Sequence, residues 1–238
     1  MTSATVSVDD LLAWIHQAGY WRVVIHPATF EDDRIQTLGD CWRLVEESRV
    51  GQRGWDYPYV DREDRVIGDG WVQCGTALGN LIEVWRFYQS GQFVHHFAVS
   101  EDREDSWERT RTPSAPVDAP RTLSIFNVIY TMAEILEFTR RLAHRDVFGS
   151  AVSIRIELHG MLGRKLTAPP ERWLRQEYIS STETICWERT MPSAVLIADA
   201  PNVAIDATAH VFERFQWIEP SLQMLKDEQR RFYEKRWR

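Results

Sequence analysis

Cysteine is scarce in this chain. Cys41, Cys74 and Cys186 are the only three, widely spaced and odd in number, which argues against a disulfide framework and against a Cys-rich zinc site and points to a reducing compartment. Long apolar runs are lacking as well. The longest, Leu123 to Phe138, is interrupted by Glu134 and falls short of the roughly 20 residues a spanning helix needs, so no membrane association is expected. The opening residues, MTSATVSVDD, have neither the basic start nor the apolar block of a secretory signal, and a cytoplasmic location is the expectation. Positive charge is outweighed by negative, with a formal net charge of -7. Non-specific coating of DNA is thereby disfavoured, although a local basic patch leaves room for nucleic acid as a partner.

The signatures of common chemistries are missing too. Gly68-Asp69-Gly70-Trp71-Val72-Gln73 lacks the third glycine of a dinucleotide fingerprint, and Gly163-Arg164-Lys165-Leu166 lacks the spacing and hydroxyl of a P-loop. There is no G-x-S-x-G elbow and no H-E-x-x-H helix, which removes two readily recognised hydrolase classes. Catalytic residues and any cofactor therefore stay unknown from the sequence, and no metal site is read.

What the chain does have is enough apolar material for a core: 238 residues, 44% hydrophobic and 26% charged, a size and balance that favour a folded globular domain over disorder. Its 11 Trp are several times the roughly 1% expected of so large a residue. They follow no fixed period, so neither a propeller nor a solenoid is indicated.

The local pattern alternates between helical and extended stretches. Ser7 as N-cap, with Asp10 three residues on, predicts a helix ending at Gly19. YWRVVIH at 20–26 predicts a strand bounded by Pro27. Ile35, Leu38, Trp42 and Val45 recur at helical spacing within 31–48. The stretch 51–69 has neither period and reads as an irregular loop. Strands follow at 71–77 and 81–88, and Ser90-Gly91 turns the latter into 93–99 as an antiparallel hairpin. The stretch 100–120, rich in acids, Ser, Thr and Pro, has the composition of a solvated connection. Residues 122–144 give the strongest helix, with Ile125, Val128, Ile129, Met132, Ile135, Leu136 and Leu142 on one face. Val152, Ile154, Ile156 and Leu158 alternate with polar residues as a half-buried strand. A strand at 178–189, a helix at 203–215 and a last helix at 220–237 complete the chain. This order predicts an α+β fold with a mixed or antiparallel sheet flanked by helices, divided into an N-terminal lobe 1–100, a connection 101–120 and a C-terminal lobe 121–238.

The most informative patch is Arg53-Gly54-Trp55-Asp56-Tyr57-Pro58-Tyr59, which places three aromatic rings, a guanidinium and a carboxylate on one loop. Aromatic faces stack on flat ligands, and Arg holds phosphate or carboxylate through paired hydrogen bonds. Arg53, Trp55, Asp56, Tyr57 and Tyr59 are therefore the candidate ligand-binding residues. The plainer alternative has Trp55 and Tyr57 plugging the loop onto a sheet and Asp56 satisfying turn amides.

This segment, with Phe87-Tyr88-Gln89-Ser90-Gly91-Gln92-Phe93, resembles stretches of bacterial proteins that accompany or carry a Schlafen-type DNA-binding and ATP-binding domain. The resemblance implies an accessory or sensing part of a bacterial multicomponent system whose chemistry resides elsewhere, and it carries over no functional residue.

Other constellations are weaker. His95 and His96 are adjacent, so on a strand they point to opposite faces and do not share a metal; His95 falls on the side of Phe93 and Phe97, where a buried structural role is the commoner outcome. Asp56, Asp61, Glu63, Asp64 and Asp69 could gather around Mg²⁺, but Arg62 and Arg65 interrupt them and a solvated loop is the simpler reading. Lys226, Arg230, Arg231, Lys235, Arg236 and Arg238 on the last helix suit its C-terminal dipole, diluted by Asp227, Glu228 and Glu234. Two functions are carried forward: a non-catalytic binding or sensing module contacting a small-molecule ligand or protein partner, with self-association into a homo-oligomer open; and a hydrolase or nuclease-like enzyme using Asp56, Asp61 or Asp64 with His96 as base.

Overall fold

The structure, a computed structural model, describes residues 7–102, 121–168, 174 and 176–234. The first half runs α1 (Val8–His16), β1 (Tyr20–Pro27), α2 (Leu38–Ser48), three short strands β2 (Val50–Gly51), β3 (Asp56–Tyr57) and β4 (Val66–Gly68), then β5 (Trp71–Leu78), β6 (Leu81–Tyr88) and β7 (Phe93–Ala98). The second half runs β8 (Thr122–Ser124), α3 (Ile125–His144), β9 (Ala151–His159), β10 (Lys165–Thr167), β11 (Thr184–Pro192), α4 (Ser193–Arg214) and α5 (Leu222–Tyr233). Seven strands pair in the order β11-β9-β1-β7-β6-β5-β4, and every pairing in that sheet is antiparallel. The class is α+β, as the pattern of elements predicts.

The division into two lobes is corrected by the strand order. β1, from the N-terminal half, lies between β7 and β9, so Trp21 pairs with Phe97 on one side and Leu158 on the other. One buried core accordingly extends from Trp21 to Phe232. The predicted connection falls almost wholly outside the described residues; Glu101 and Asp102, which are described, are drawn into the fold and not left as solvated linker.

Alternation sets the two faces of the sheet. Val72, Cys74 and Thr76 on β5, Glu83, Trp85 and Phe87 on β6, Phe93, His95 and Phe97 on β7, and Trp21, Val23 and Ile25 on β1 share one face by register. The core covers this face with Trp42 and Val45 of α2, Phe138 of α3 and Ala204 of α4. Trp85, Phe87 and Phe93 are fully buried there, each contributing roughly 1.5–3 kcal/mol by leaving water. On the opposite face, α1 lays Leu11 and Ile15 on Ile82, Val84 and Ala98 to form a small second core.

Local chemistry explains where elements start and stop. Ser7 caps α1 by accepting from Asp10 N, but the helix ends at His16, because Gly19 is needed elsewhere. Gly19 N donates to Asp102 Oδ2 at 2.7 Å, and a Cβ on Gly19 would lie only 2.4 Å from Arg164 Nη2. The absent side chain lets a buried ion pair sit against the backbone. Helix α2 begins at Leu38 instead of 31, since Thr37 caps it and Ile35 N donates to Gln89 O at 2.8 Å, tying the preceding segment to the β6–β7 turn. Helix α4 starts ten residues before the expected 203. It is broken at Asp199 by non-helical angles beside Pro201, whose missing N–H and ring interrupt the ladder. The strand expected at 178–189 forms later, as β11. Among the described residues no helix is long and apolar enough to cross a membrane.

Candidate functional site

The loop after α2 folds back over the buried face of β5, β6 and β7. Its main chain is pinned there: Tyr59 N donates to Glu83 Oε1 at 2.6 Å, and Tyr59 O accepts from Trp85 Nε1 at 2.6 Å. The short β2–β3 ladder, pairing Val50 with Tyr57 and Gly51 with Asp56, then decides side-chain direction. Adjacent strand residues point opposite ways, so Tyr57 enters the core while Asp56 turns out to meet Arg49 Nη1 at 3.0 Å.

This arrangement leaves a cleft of about 840 Å³ between the loop, the β5–β6 turn and the start of α3. Arg53, Trp55 and Tyr57 form one wall, Leu78 to Glu83 another, Trp21 and Phe97 the sheet side, and Asn127 and Thr131 the helix side. The volume is in the range of small-molecule sites, which combine apolar walls with a few placed polar groups. Of the five residues singled out by sequence, three therefore line one cleft. Asp56 and Tyr59 do not: Asp56 is held by Arg49, and the Tyr59 hydroxyl donates to Asp61 Oδ2 at 3.1 Å.

Beneath the cleft lies a network of buried charges. Arg53 donates through Nε to Glu134 Oε1 at 3.1 Å and through Nη2 to Glu134 Oε2 and to Thr131 Oγ1 at 3.2 Å. The Glu134 side chain is completely buried. Burial pushes its pKa up, and the Arg53 charge and hydrogen bonds offset that only in part. The Arg53 guanidinium also stands 5.2 Å from the Trp55 ring centroid, a cation–π distance. Trp55 itself is 46% exposed.

A second chain of polar groups runs beside the first. Tyr57 Oη lies 3.2 Å from His95 Nδ1, and His95 Nε2 lies 3.5 Å from Glu83 Oε1, too long for a good hydrogen bond. One assignment suits both contacts: the phenol donates to Nδ1 and the imidazole keeps its proton on Nε2, facing the carboxylate. His95 Nε2 is a buried nitrogen without a hydrogen-bond partner among the described residues. Burial, followed by the nearby charge of Glu83, pushes the Tyr57 phenol well above its ordinary pKa. Phenol, imidazole and carboxylate thus form a fixed array of dipoles under the aromatic wall.

The pairing of His96 with Asp56, Asp61 or Asp64 is not assembled. His96 faces the side of the sheet that carries α1, where His16 Nε2 is 3.2 Å away and Tyr20 packs near it. Asp61 belongs to the loop on the other side, its carbonyl accepting from the Cys74 thiol. The sheet therefore separates His96 from the acidic loop. No group of three or more His, Cys, Asp or Glu among the described residues is arranged to hold a metal ion.

Sequence reasoning missed Glu83, Thr131 and Glu134, although two carried a signal. Glu83 alternates in phase with Trp85 and Phe87, and Glu134 interrupts the longest apolar run; a carboxylate at a core-facing position needs a partner. Neither position reveals which partner. No family model, curated protein or solved structure matches the chain, so the reading of the cleft rests on its own geometry.

Proposed function

We propose that this chain is a non-catalytic binding or sensing module that takes a small-molecule ligand into the cleft behind the 53–57 loop. The observation that carries the reading is the convergence of Arg53, Trp55 and Tyr57 on one cleft of about 840 Å³, above a fixed network of buried polar groups. The resemblance of this loop and of the 87–93 turn to Schlafen-associated bacterial proteins supports a place as the sensing part of an intracellular multicomponent system. The exposed Trp55 ring is suited to close on a ligand, while Tyr57 is held by His95 and Arg53 by Glu134, and the two give the wall its shape.

Native mass spectrometry of gently purified protein tests this. Wild-type protein is expected to retain a small molecule released on denaturation, and Trp55→Ala to lose it while melting at nearly the same temperature, since substitutions of exposed residues usually cost within about 0.5 kcal/mol. A Trp55→Ala protein that keeps the same ligand with undiminished affinity would remove the 53–57 loop from the site.

A further inference from the structure

We infer that the ligand of this cleft is an organic cation, an amine or guanidine carried on an apolar body, with Glu83 as its counter-ion. The inference rests on the binding reading above and names the chemical class that reading leaves open.

The argument starts from register. Glu83 on β6 pairs with Phe97 on β7, and Phe97 pairs with Trp21 on β1, so a carboxylate and two aromatic rings stand in one cross-strand row, and all three line the cleft. Trp21 and Phe97 stack with centroids 5.7 Å apart, and Tyr57 meets Phe97 edge-on at 5.9 Å. A carboxylate lining one cleft with three aromatic rings suits a cation through charge and ring quadrupole together.

Glu83 has capacity to spare. Its side chain is only 3% exposed; Oε1 accepts from Tyr59 N, and Oε2 has no hydrogen-bond partner among the described residues. The imidazole Nε2 of His95 approaches the other oxygen, Oε1, at 3.5 Å. A carboxylate oxygen that lines a largely apolar cleft is a ready acceptor for a donor arriving there, and an ammonium is the donor that also cancels its charge.

The remaining charges point the same way. Among the described residues the cleft walls carry Glu83 and Glu101 against the guanidinium of Arg53, and Arg53 is already paired with buried Glu134. Glu101 is spent on local structure, accepting from Ser124 N at 2.7 Å and from Asn127 Nδ2 at 3.0 Å, yet its charge adds to the field. An anionic ligand would sit beside Glu83 and Glu101 and meet a guanidinium whose charge Glu134 already balances.

Three indoles of matched shape separate the possibilities: tryptamine as the cation, tryptophol as the neutral alcohol and indole-3-acetate as the anion, each titrated by ligand-observed NMR into wild-type protein and Glu83→Gln. Tryptamine is expected to bind about tenfold more tightly than either competitor, and Glu83→Gln, whose amide oxygen can still accept from Tyr59 N, to reduce that preference to within about threefold. Tryptophol or indole-3-acetate binding as well as tryptamine to the wild type would overturn the cation class while leaving the cleft as a ligand site. A tryptamine preference undiminished in Glu83→Gln would overturn Glu83 as the counter-ion. Failure of all three to bind at millimolar concentration would overturn the inference, while a small molecule retained in native mass spectrometry would still uphold the binding reading.

Discussion

Removing the Arg53 side chain tests the buried network most directly. From the sequence, Arg53→Ala is expected to abolish binding and leave stability nearly intact; the structure revises the second half, because the Glu134 carboxylate that Arg53 neutralises is wholly buried. Arg53→Met keeps much of the aliphatic volume and removes the charge. Breaking a buried pair from one side costs about 3–5 kcal/mol, so a loss of this size is expected near pH 8, read by urea unfolding with an unchanged m-value. The loss carries a pH signature. Burial already raises the Glu134 pKa against the pull of Arg53, and without Arg53 it rises further. Between the unfolded carboxyl value and the new folded value the folded state then binds the extra proton, so stability is fully present below the unfolded pKa and is lost as pH rises through the folded pKa, at about 1.4 kcal/mol per pH unit. Glu134→Gln added to Arg53→Met removes the ionisable group and is expected to abolish that slope and recover much of the stability. A loss below about 1 kcal/mol at pH 8, or one independent of pH between 5 and 8, would show that Glu134 is not the isolated buried charge described here.

Three further outcomes follow from the same geometry. His96 is held down to about 4 by burial, then by His16 and other positive neighbours; with its folded pKa below the unfolded 6.5, it contributes stability above pH 6.5 that is lost as pH falls toward 4, about 3 kcal/mol in total, and His96→Gln should flatten the wild-type denaturation midpoint across that window. His16, Tyr20, His159 and Arg22 share that side of the sheet, and Glu157 titrates lower: burial alone would raise its pKa, but hydrogen bonds from Arg22, Arg155 and His159 prevail and bring it to about 2, so an unaltered slope in His96→Gln would move the effect away from this histidine. Gly19→Ala should destabilise severely, since its Cβ would fall 2.4 Å from Arg164 Nη2, in a fully buried guanidinium that also holds Asp102 and Thr122 O; a thermal melt unchanged from wild type would mean that this ion pair can move aside freely. Tyr57→Phe leaves His95 Nδ1 without its hydroxyl partner and should cost about 1–3 kcal/mol in urea unfolding, whereas a neutral or stabilising result would mean the hydroxyl adds nothing to the network.

Sequence alone determined the parts whose causes are local. The cap at Ser7, the alternation of β9, the β6–β7 hairpin with its turn at Gly91 and the long amphipathic run of α3 are short-range effects of propensity, period and turn chemistry, and together they give the α+β class. The same local chemistry marked 53–59 as unusual, because three rings, a guanidinium and a carboxylate in seven residues stand out in any context. Tertiary structure decided what no local pattern encodes. It inserted β1 between β7 and β9 and so joined two apparent lobes in one sheet; it turned Tyr57 inward and Asp56 outward through a two-residue ladder; and it set Arg53 against Glu134 and Tyr57 against His95 across long separations in the chain. Strand order and buried pairing depend on which surfaces meet, and a residue's own neighbours in sequence carry no record of that meeting. Glu83 and Glu134 show the boundary most clearly: the sequence contains them as interruptions in apolar runs, and only the packed sheet and helix make one an open carboxylate beneath aromatic rings and the other the buried partner of an arginine.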